Sequence, residues 1–121
     1  MTRCRPCSPV PEEVRRAAVL LEGRWTVSIL WASAEGASRF NELKQAVGEI
    51  PPRTLAQRLV ELEAAGLLER RVIDARPPRV EYRLTALGRE AAEHVRALAT
   101  WAENNVARVQ RARELRVKER S

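Results

Sequence analysis

The spacing of apolar positions divides the chain into segments of helical and of strand-like character. Between Ile50 and Gly66, three leucines recur at steps of three and four residues: Leu55, Leu59 and Leu62. This spacing places the three side chains on one face of a helix. Pro52 suits the first turn of such a helix, and Gly66 suits the cap that follows its last turn. The pattern predicts one helix with a single apolar face.

Two more helices are predicted near the N-terminus. The first covers residues 11–23, because a proline and two acidic residues suit its first turn and a glycine suits its end. The second covers residues 25–34 and is apolar nearly all round, which is typical of a helix at the centre of a domain. We therefore expect Trp25 and Trp31 to lie in the core.

The segment between the second helix and Ile50 predicts a helix-turn-helix. Ser38–Phe40 is predicted as a very short strand, followed by a short helix over residues 41–47 that ends at Gly48. Only a few residues join this helix to the next one. Two short helices with a tight connection, the second polar at its N-terminus, form a helix-turn-helix motif.

After the leucine-bearing helix the apolar period changes to two, which predicts strands. Residues 67–73 and 80–84 alternate in this way, and the loop between them contains two prolines that interrupt a regular strand. The pattern predicts a β-hairpin. Arg76 and Arg79 lie at its tip, where they could reach a phosphate or a narrow minor groove.

A long helix is predicted from the capping residue Thr85 to about Ala112. Apolar and small residues recur along it at alternating steps of four and three, which is a heptad pattern. A helix of this length cannot bury its apolar stripe within one small domain, so a second copy of the chain is expected to cover it. Asn105 is polar within this stripe and could set the register of pairing. The predicted interface consists of Val95, Leu98, Trp101, Ala102 and Asn105.

Polar residues lie opposite the leucines of the 50–66 helix, near its N-terminus. Arg can pair with guanine and Gln with adenine in the major groove, and Thr can contact a phosphate or a thymine methyl group. The sequence therefore predicts DNA contacts on this face, while an ordinary solvated helix face remains the alternative. The candidate residues are Arg53, Thr54 and Gln57, with Arg58 on the flank.

Composition agrees with a nucleic-acid partner. The 121 residues carry 22 basic and 16 acidic side chains, a formal net charge of +6, and arginine supplies nearly all of the positive charge. The length suits one domain, predicted over residues 11–113, with a flexible N-terminal segment at 1–10 and a basic tail at 114–121. No apolar run is long enough to span a membrane, so we expect a cytoplasmic protein.

The two cysteines, Cys4 and Cys7, form a C-x-x-C pair near the N-terminus. A zinc site needs about four ligands, and the only histidine, His94, is far away in sequence. Three interpretations stay open: redox-responsive thiols, a metal shared between two chains, and thiols without a role. No metal or other cofactor is predicted.

Four motifs in order resemble the HxlR-type transcriptional regulators, which are winged helix-turn-helix proteins related to the MarR family. The motifs are L-E-G-R-W at 21–25, R-F-N-E-L at 39–43, L-A-Q-R-L-V-E-L-E-A-A-G-L-L at 55–68 and P-P-R-V-E-Y-R-L-T-A-L-G at 77–88. The resemblance implies a homodimer, joined through the first and last helices, that binds a two-fold-symmetric operator. By position it implies DNA contacts from Arg39, from the helix residues named above, and from Arg76 or Arg79. The chain departs from the family at Pro51 and Ala56, where members commonly have small polar or hydroxyl residues. It also departs at Cys7, which lies several residues further from Gly23-Arg24-Trp25 than the N-terminal cysteine of many members does.

The combined prediction is a mostly helical α+β fold: a winged helix-turn-helix with a two-stranded wing and a long C-terminal dimerisation helix. Its expected function is transcription regulation through double-stranded DNA, with an unknown effector. An enzyme is not expected, because the sequence has no glycine-rich phosphate loop and no nucleophile beside His94. The alternative from another class is a winged-helix module that binds proteins and not DNA.

Overall fold

The protein is described by a computed structural model that covers residues 9–21 and 25–120. The described residues form five helices and one antiparallel pair of strands. In chain order these are α1 (Glu12–Leu21), α2 (Thr26–Ala34), α3 (Phe40–Val47), α4 (Pro52–Ala64), β1 (Leu68–Ile73), β2 (Arg79–Leu84) and α5 (Ala86–Arg120). The predicted winged helix-turn-helix fold is confirmed.

Helix α4 begins and ends where its proline and glycine predict. Pro52 lies in the first turn, and Gly66 adopts a positive φ of 80° after the last turn. This left-handed conformation favours glycine. All three leucines of the predicted apolar face are buried, so they anchor α4 in the core and leave its opposite face exposed.

Helix α2 crosses the centre of the domain with Ile29 and Leu30 fully buried. Trp25 packs partly buried against the same core. Trp31, however, is 39% exposed, so its predicted burial is wrong for the single chain. An apolar residue can face either the core or another apolar surface, and Trp31 lies on the side of α2 that lines an open groove.

The predicted strand at Ser38–Phe40 is not formed. Phe40 begins α3, and Arg39 is the extended residue that precedes it. The Glu42 carboxylate accepts the backbone N–H groups of Arg39 at 2.9 Å and Ser38 at 3.1 Å. These two hydrogen bonds lower the pKa of Glu42. The one strand-like feature is the Ser38 carbonyl, which accepts the N–H of Tyr82 in β2 at 2.7 Å.

The hairpin pairs β1 with β2 in a register that runs from Leu68 opposite Leu84 to Ile73 opposite Arg79. Arg79 therefore belongs to β2, and the loop between the strands is shorter than the sequence indicates. Leu67 and Leu68 are buried, which joins the base of the hairpin to the core. The outer part of the hairpin is solvent-exposed.

Helix α5 is capped by Thr85, as predicted. The Thr85 hydroxyl accepts the N–H of Gly88 at 3.0 Å and donates to the Gly66 carbonyl. Ala92 and Val95 are buried, and the helix packs against α2 through its N-terminal half. It then continues to Arg120, so the segment predicted to be a basic tail is helical as far as the structure describes it.

Helix α1 buries none of its described side chains. Residues 12–19 are all exposed, including Val14, Ala17 and Ala18, which share one side of the helix. Gly23, the predicted end of this helix, lies outside the described residues, and the helix is assigned to Leu21. An exposed apolar side on a helix indicates a surface that is available to another chain.

Candidate nucleic-acid interface

The exposed face of α4 carries the residues predicted to contact DNA. Arg53 and Gln57 are exposed, and Thr54 is half-buried between them. Gln57 donates weakly to Glu61 at 3.4 Å. Arg53 forms no ion pair with any residue that the structure describes, so its guanidinium keeps its donors available. The buried leucines fix the orientation of this face.

Arg58 is held differently from the other three. Its guanidinium donates to the Glu61 carboxylate at 2.6 Å, and its side chain is only 30% exposed. Its Nε atom is buried without a hydrogen-bond partner in the described part of the chain. Arg58 therefore lies along the flank of α4 with its charge already paired.

Arg39 lies immediately before α3 and is exposed. Its backbone is fixed by the Glu42 carboxylate, which leaves the guanidinium on the surface. Helix α4 packs against both α3 and β1. The predicted DNA contacts on α4, at Arg39 and on the wing therefore belong to one connected unit.

The wing carries further arginines beside Arg76 and Arg79, the two that were predicted to contact DNA. Arg76 is exposed in the loop, and Arg79 pairs with Glu81 at 3.5 Å. The Glu81 side chain is only 10% exposed, and its carboxylate also accepts two N–H groups of Arg83, the shorter contact being 2.8 Å. The alternation R-V-E-Y-R could have revealed this group, because residues two apart share one face of a strand.

Strand β1 extends the same charged face. Arg71 lies opposite Glu81 in the register and pairs with Glu69 at 3.3 Å, while Glu69 lies opposite Arg83. We call this set the wing charge cluster: Glu69, Arg71, Arg79, Glu81 and Arg83. It has a formal charge of +1, with the side chains of its arginines about half exposed.

The predicted dimer residues divide into buried and exposed groups. Val95 is already buried in the core of its own chain. Leu98 is 52% exposed and Trp101 is 57% exposed, while Ala102 and Asn105 are half-buried. The polar groups of Asn105 are bonded within α5, because its amide donates to the Trp101 carbonyl at 2.8 Å and its oxygen accepts from Arg108 at 3.2 Å.

An apolar groove of about 390 Å³ continues this exposed surface between α2, α3 and α5. Trp31 and Val47 form one side, and Leu98 and Ala102 form the other. The groove and the neighbouring exposed side chains of α5 make an apolar area on the single chain, and α1 carries further exposed apolar side chains.

One predicted site falls outside the described residues. Cys4 and Cys7 lie outside the described residues, so their role stays a prediction. Within the described residues, no helix combines the length and apolar character needed to cross a bilayer.

The geometry agrees with proteins of known class. A family model described as HxlR-like helix-turn-helix matches residues 20–110. The HTH-type transcriptional regulator YtfH of Escherichia coli (strain K12) is 44% identical over 93 residues, which cover 77% of this chain and 74% of the relative.

Solved structures give the same result. The transcriptional regulator YtfH from Salmonella typhimurium has a TM-score of 0.73 and 40% identity, covering 84% of this chain and 90% of that one. The redox regulator HypR in its reduced form has a TM-score of 0.75 and 32% identity, covering 82% and 98%. The chain therefore belongs to the HxlR-like helix-turn-helix family of transcriptional regulators.

Proposed function

We propose that the protein is a homodimeric, sequence-specific double-stranded-DNA-binding regulator that acts in the cytoplasm on a two-fold-symmetric operator and catalyses no reaction. The observation that carries this proposal is the exposed face of α4. Three core leucines anchor the helix, and its first turns carry the exposed Arg53 and Gln57 with the half-buried Thr54 between them. Rigid presentation of such residues is what reading base edges requires.

Base reading falls to Arg53 and Gln57. Both are exposed and lie opposite the leucines, and the Gln57 contact with Glu61 is long at 3.4 Å. A hydrogen bond of that length is easily exchanged for one to a base. Thr54 is placed to contact a phosphate or a thymine methyl group.

The wing and Arg39 contact the phosphate backbone of the DNA. Arg76 and Arg79 approach from the hairpin, while Arg39 approaches from the start of α3. Such contacts position a protein on the duplex and contribute a salt-dependent affinity that is common to all sequences. Arg58 has a smaller part, because Glu61 already neutralises its charge.

Dimerisation follows from the exposed apolar surface of α5. Leu98 and Trp101 are large, apolar and exposed on the same helix face, next to the groove that contains Trp31. Covering this surface with a second copy would remove it from water. A two-fold dimer would present two copies of α4 to successive major grooves, about one helical turn apart.

Selection of bound fragments from random duplexes, followed by footprinting of the preferred site, tests this function. We expect an inverted repeat with half-site centres about 10 base pairs apart. A winged-helix protein-interaction module would instead show no enrichment of any sequence and no steep dependence of duplex binding on salt. Either of those two results would contradict the proposal.

Thiol sensing is a second candidate, supported by the C-x-x-C pair and by the similarity to a redox regulator. Diamide would take two electrons and two protons from Cys4 and Cys7 as a disulfide forms. We expect oxidation to change DNA affinity in the wild type and not in Cys7→Ser. Equal affinity of the wild type before and after oxidation would show that the thiols do not regulate binding.

A further inference from the structure

A second groove, of about 670 Å³, is lined by residues of α2 and α5 other than those that line the apolar groove described above. Its walls are the end of α2 and the turn that follows, the inner half of β2, and the first three turns of α5. It touches neither the reading residues of α4 nor the exposed seam at Leu98 and Trp101. This volume falls within the range of small-molecule sites in proteins, roughly 300–1,000 Å³.

Three guanidinium groups face this groove, and two of them are already paired. Arg83 pairs with Glu81 at 2.8 Å, and Arg96 pairs with Glu35 at 3.2 Å. Arg89 is different, because the only hydrogen bond of its guanidinium within residues 25–120 goes to the Leu84 carbonyl at 3.2 Å. A guanidinium has five N–H donors, so most of those of Arg89 remain available.

One carboxylate competes with a bound anion. Glu93 lines the groove one turn after Arg89 on α5, and it forms no ion pair in the described part of the chain. The lining residues are therefore three arginines against Glu81 and Glu93, a formal charge of +1. This balance favours an anion that carries a single strong head group.

Much of the remaining wall is apolar, although Ser33 and Ser38 also line the groove. Leu84 and Ala92 lie beside Arg89, and Ala37 and Tyr82 complete the wall. A purely inorganic ion would leave these walls in contact with water. An organic anion covers them and gains from their burial.

We propose that this groove binds a small organic anion, with a carboxylate or phosphate head on Arg89 and an apolar body against Leu84 and Ala92. Arg96 strengthens the attraction from the next turns of α5, although Glu35 and the Ala34 carbonyl share its donors. Arg is the side chain best suited to such a head group, because its planar fork matches two acceptor oxygens.

The position of the groove gives the ligand a regulatory consequence. Its walls come from the end of α2 with the turn that leads to α3, from the wing and from α5, so a ligand bound there contacts all three. A ligand that fits one arrangement of these elements better than another shifts the protein toward that arrangement. This consequence rests on the proposed DNA binding, whereas binding of the anion itself does not.

Amide NMR titration of the full chain without DNA tests the site. The probes are hexanoate and hexyl phosphate, with inorganic phosphate lacking the apolar body and hexylammonium reversing the charge, all at one ionic strength. We expect saturable shifts at β2 and at residues 86–96 with the two organic anions only. Equal shifts with hexylammonium, or none with either organic anion, would overturn the proposal.

Two substitutions should change the affinity for hexanoate in opposite directions. Arg89→Gln removes the charged head-group contact and should weaken hexanoate binding about tenfold, which corresponds to about 1.4 kcal/mol. Glu93→Gln removes the competing carboxylate and should strengthen it. Arg111→Gln, on the exposed part of α5 away from the groove, is the control and should bind as the wild type does. Unchanged affinity in both groove variants would overturn the site.

The regulatory step is measured separately, as the affinity of the wild type and of Arg89→Gln for the selected duplex with and without hexanoate. A ligand-dependent change in the wild type that is lost in Arg89→Gln supports coupling. Binding of hexanoate with unchanged DNA affinity would refute the coupling and leave the site intact. Failure of the apoprotein to bind any duplex would refute the proposed function, and the NMR result would still decide the anion site.

Discussion

The Arg58 guanidinium donates to the Glu61 carboxylate at 2.6 Å, whereas Arg53, on the first turn of the same helix, has no ion pair within the described residues. Two arginines five residues apart on α4 are thus prepared for different tasks. The pairing of Arg58 stabilises the helix only slightly, because i,i+3 pairs at a surface contribute about 0.2–0.5 kcal/mol. In the proposed function, its main effect is to leave Arg58 less positive charge for the DNA than Arg53 has.

Replacement of Arg58 by alanine should therefore change DNA affinity much less than replacement of Arg53. Arg53→Ala loses a base contact that costs about 1–3 kcal/mol on the preferred site, while Arg58→Ala should cost less than about 1 kcal/mol. Fluorescence anisotropy on one labelled duplex measures both. A larger loss for Arg58→Ala would mean that the ion pair with Glu61 breaks on the DNA.

Neutralisation of Glu81 should strengthen binding to any duplex. Its carboxylate is held between Arg79 and Arg83 in the wing charge cluster, where it competes with phosphate for their donors. Glu81→Gln keeps the shape and removes the charge, so we expect tighter binding to random DNA and a steeper dependence on salt. The control is Glu63→Gln, an exposed neutralisation on α4. Weaker binding of Glu81→Gln would show that Glu81 is needed to position the arginines.

A charge placed on the exposed seam of α5 should dissociate the dimer. Leu98→Asp or Trp101→Asp would bury an unpaired carboxylate in an apolar interface, which costs several kcal/mol. Sedimentation at micromolar concentration should show a dimer for the wild type and a monomer for the variants. Leu115→Asp changes an exposed leucine of α5 outside the predicted interface and is the matched control. A monomeric wild type at high concentration would contradict the interface.

Gly88→Ala should destabilise the fold, although alanine normally stabilises a helix relative to glycine by about 1 kcal/mol. A Cβ atom at this position would collide with the Leu67 carbonyl, where the start of α5 lies against the chain between α4 and β1. We expect a loss of about 1–3 kcal/mol in the free energy of unfolding by urea, the usual cost of overpacking. Glu90→Ala, exposed on the next turn, should change it by less than about 0.5 kcal/mol. Equal stability of Gly88→Ala and the wild type would show that the backbone moves apart at little cost.

The sequence predicts best where local chemistry determines the structure. The ends of α4 follow from Pro52 and Gly66, and the start of α5 follows from the Thr85 cap, because these effects need only neighbouring residues. The exposure of Trp31 was not predictable in this way. A helix that is apolar all round does not reveal which side meets its own core and which side meets an exposed groove.

The candidate site shows the same division. The face of α4 follows from helical periodicity, but the pairing of Arg58 and of Arg83 depends on side-chain conformation and on the strand register. The groove at Arg89 is formed by elements more than fifty residues apart in the chain, from Ser33 to Arg96. The local sequence pattern does not show which distant segments become neighbours, so this groove could be identified only from the folded structure.

We propose that α4 reads bases while the wing contacts the DNA backbone, and the ratio of specific to non-specific affinity distinguishes these two roles. The ratio of affinities for the selected operator and for random duplex is measured at one salt concentration for the wild type, Gln57→Ala and Arg79→Ala. Gln57→Ala should lower this ratio by the equivalent of about 1–3 kcal/mol of binding free energy, because a base contact is lost. Arg79→Ala should leave the ratio nearly unchanged, weaken binding to both duplexes, and lower the salt slope by about one. If Gln57→Ala keeps the wild-type ratio and Arg79→Ala loses most of it, the wing reads the bases and α4 does not.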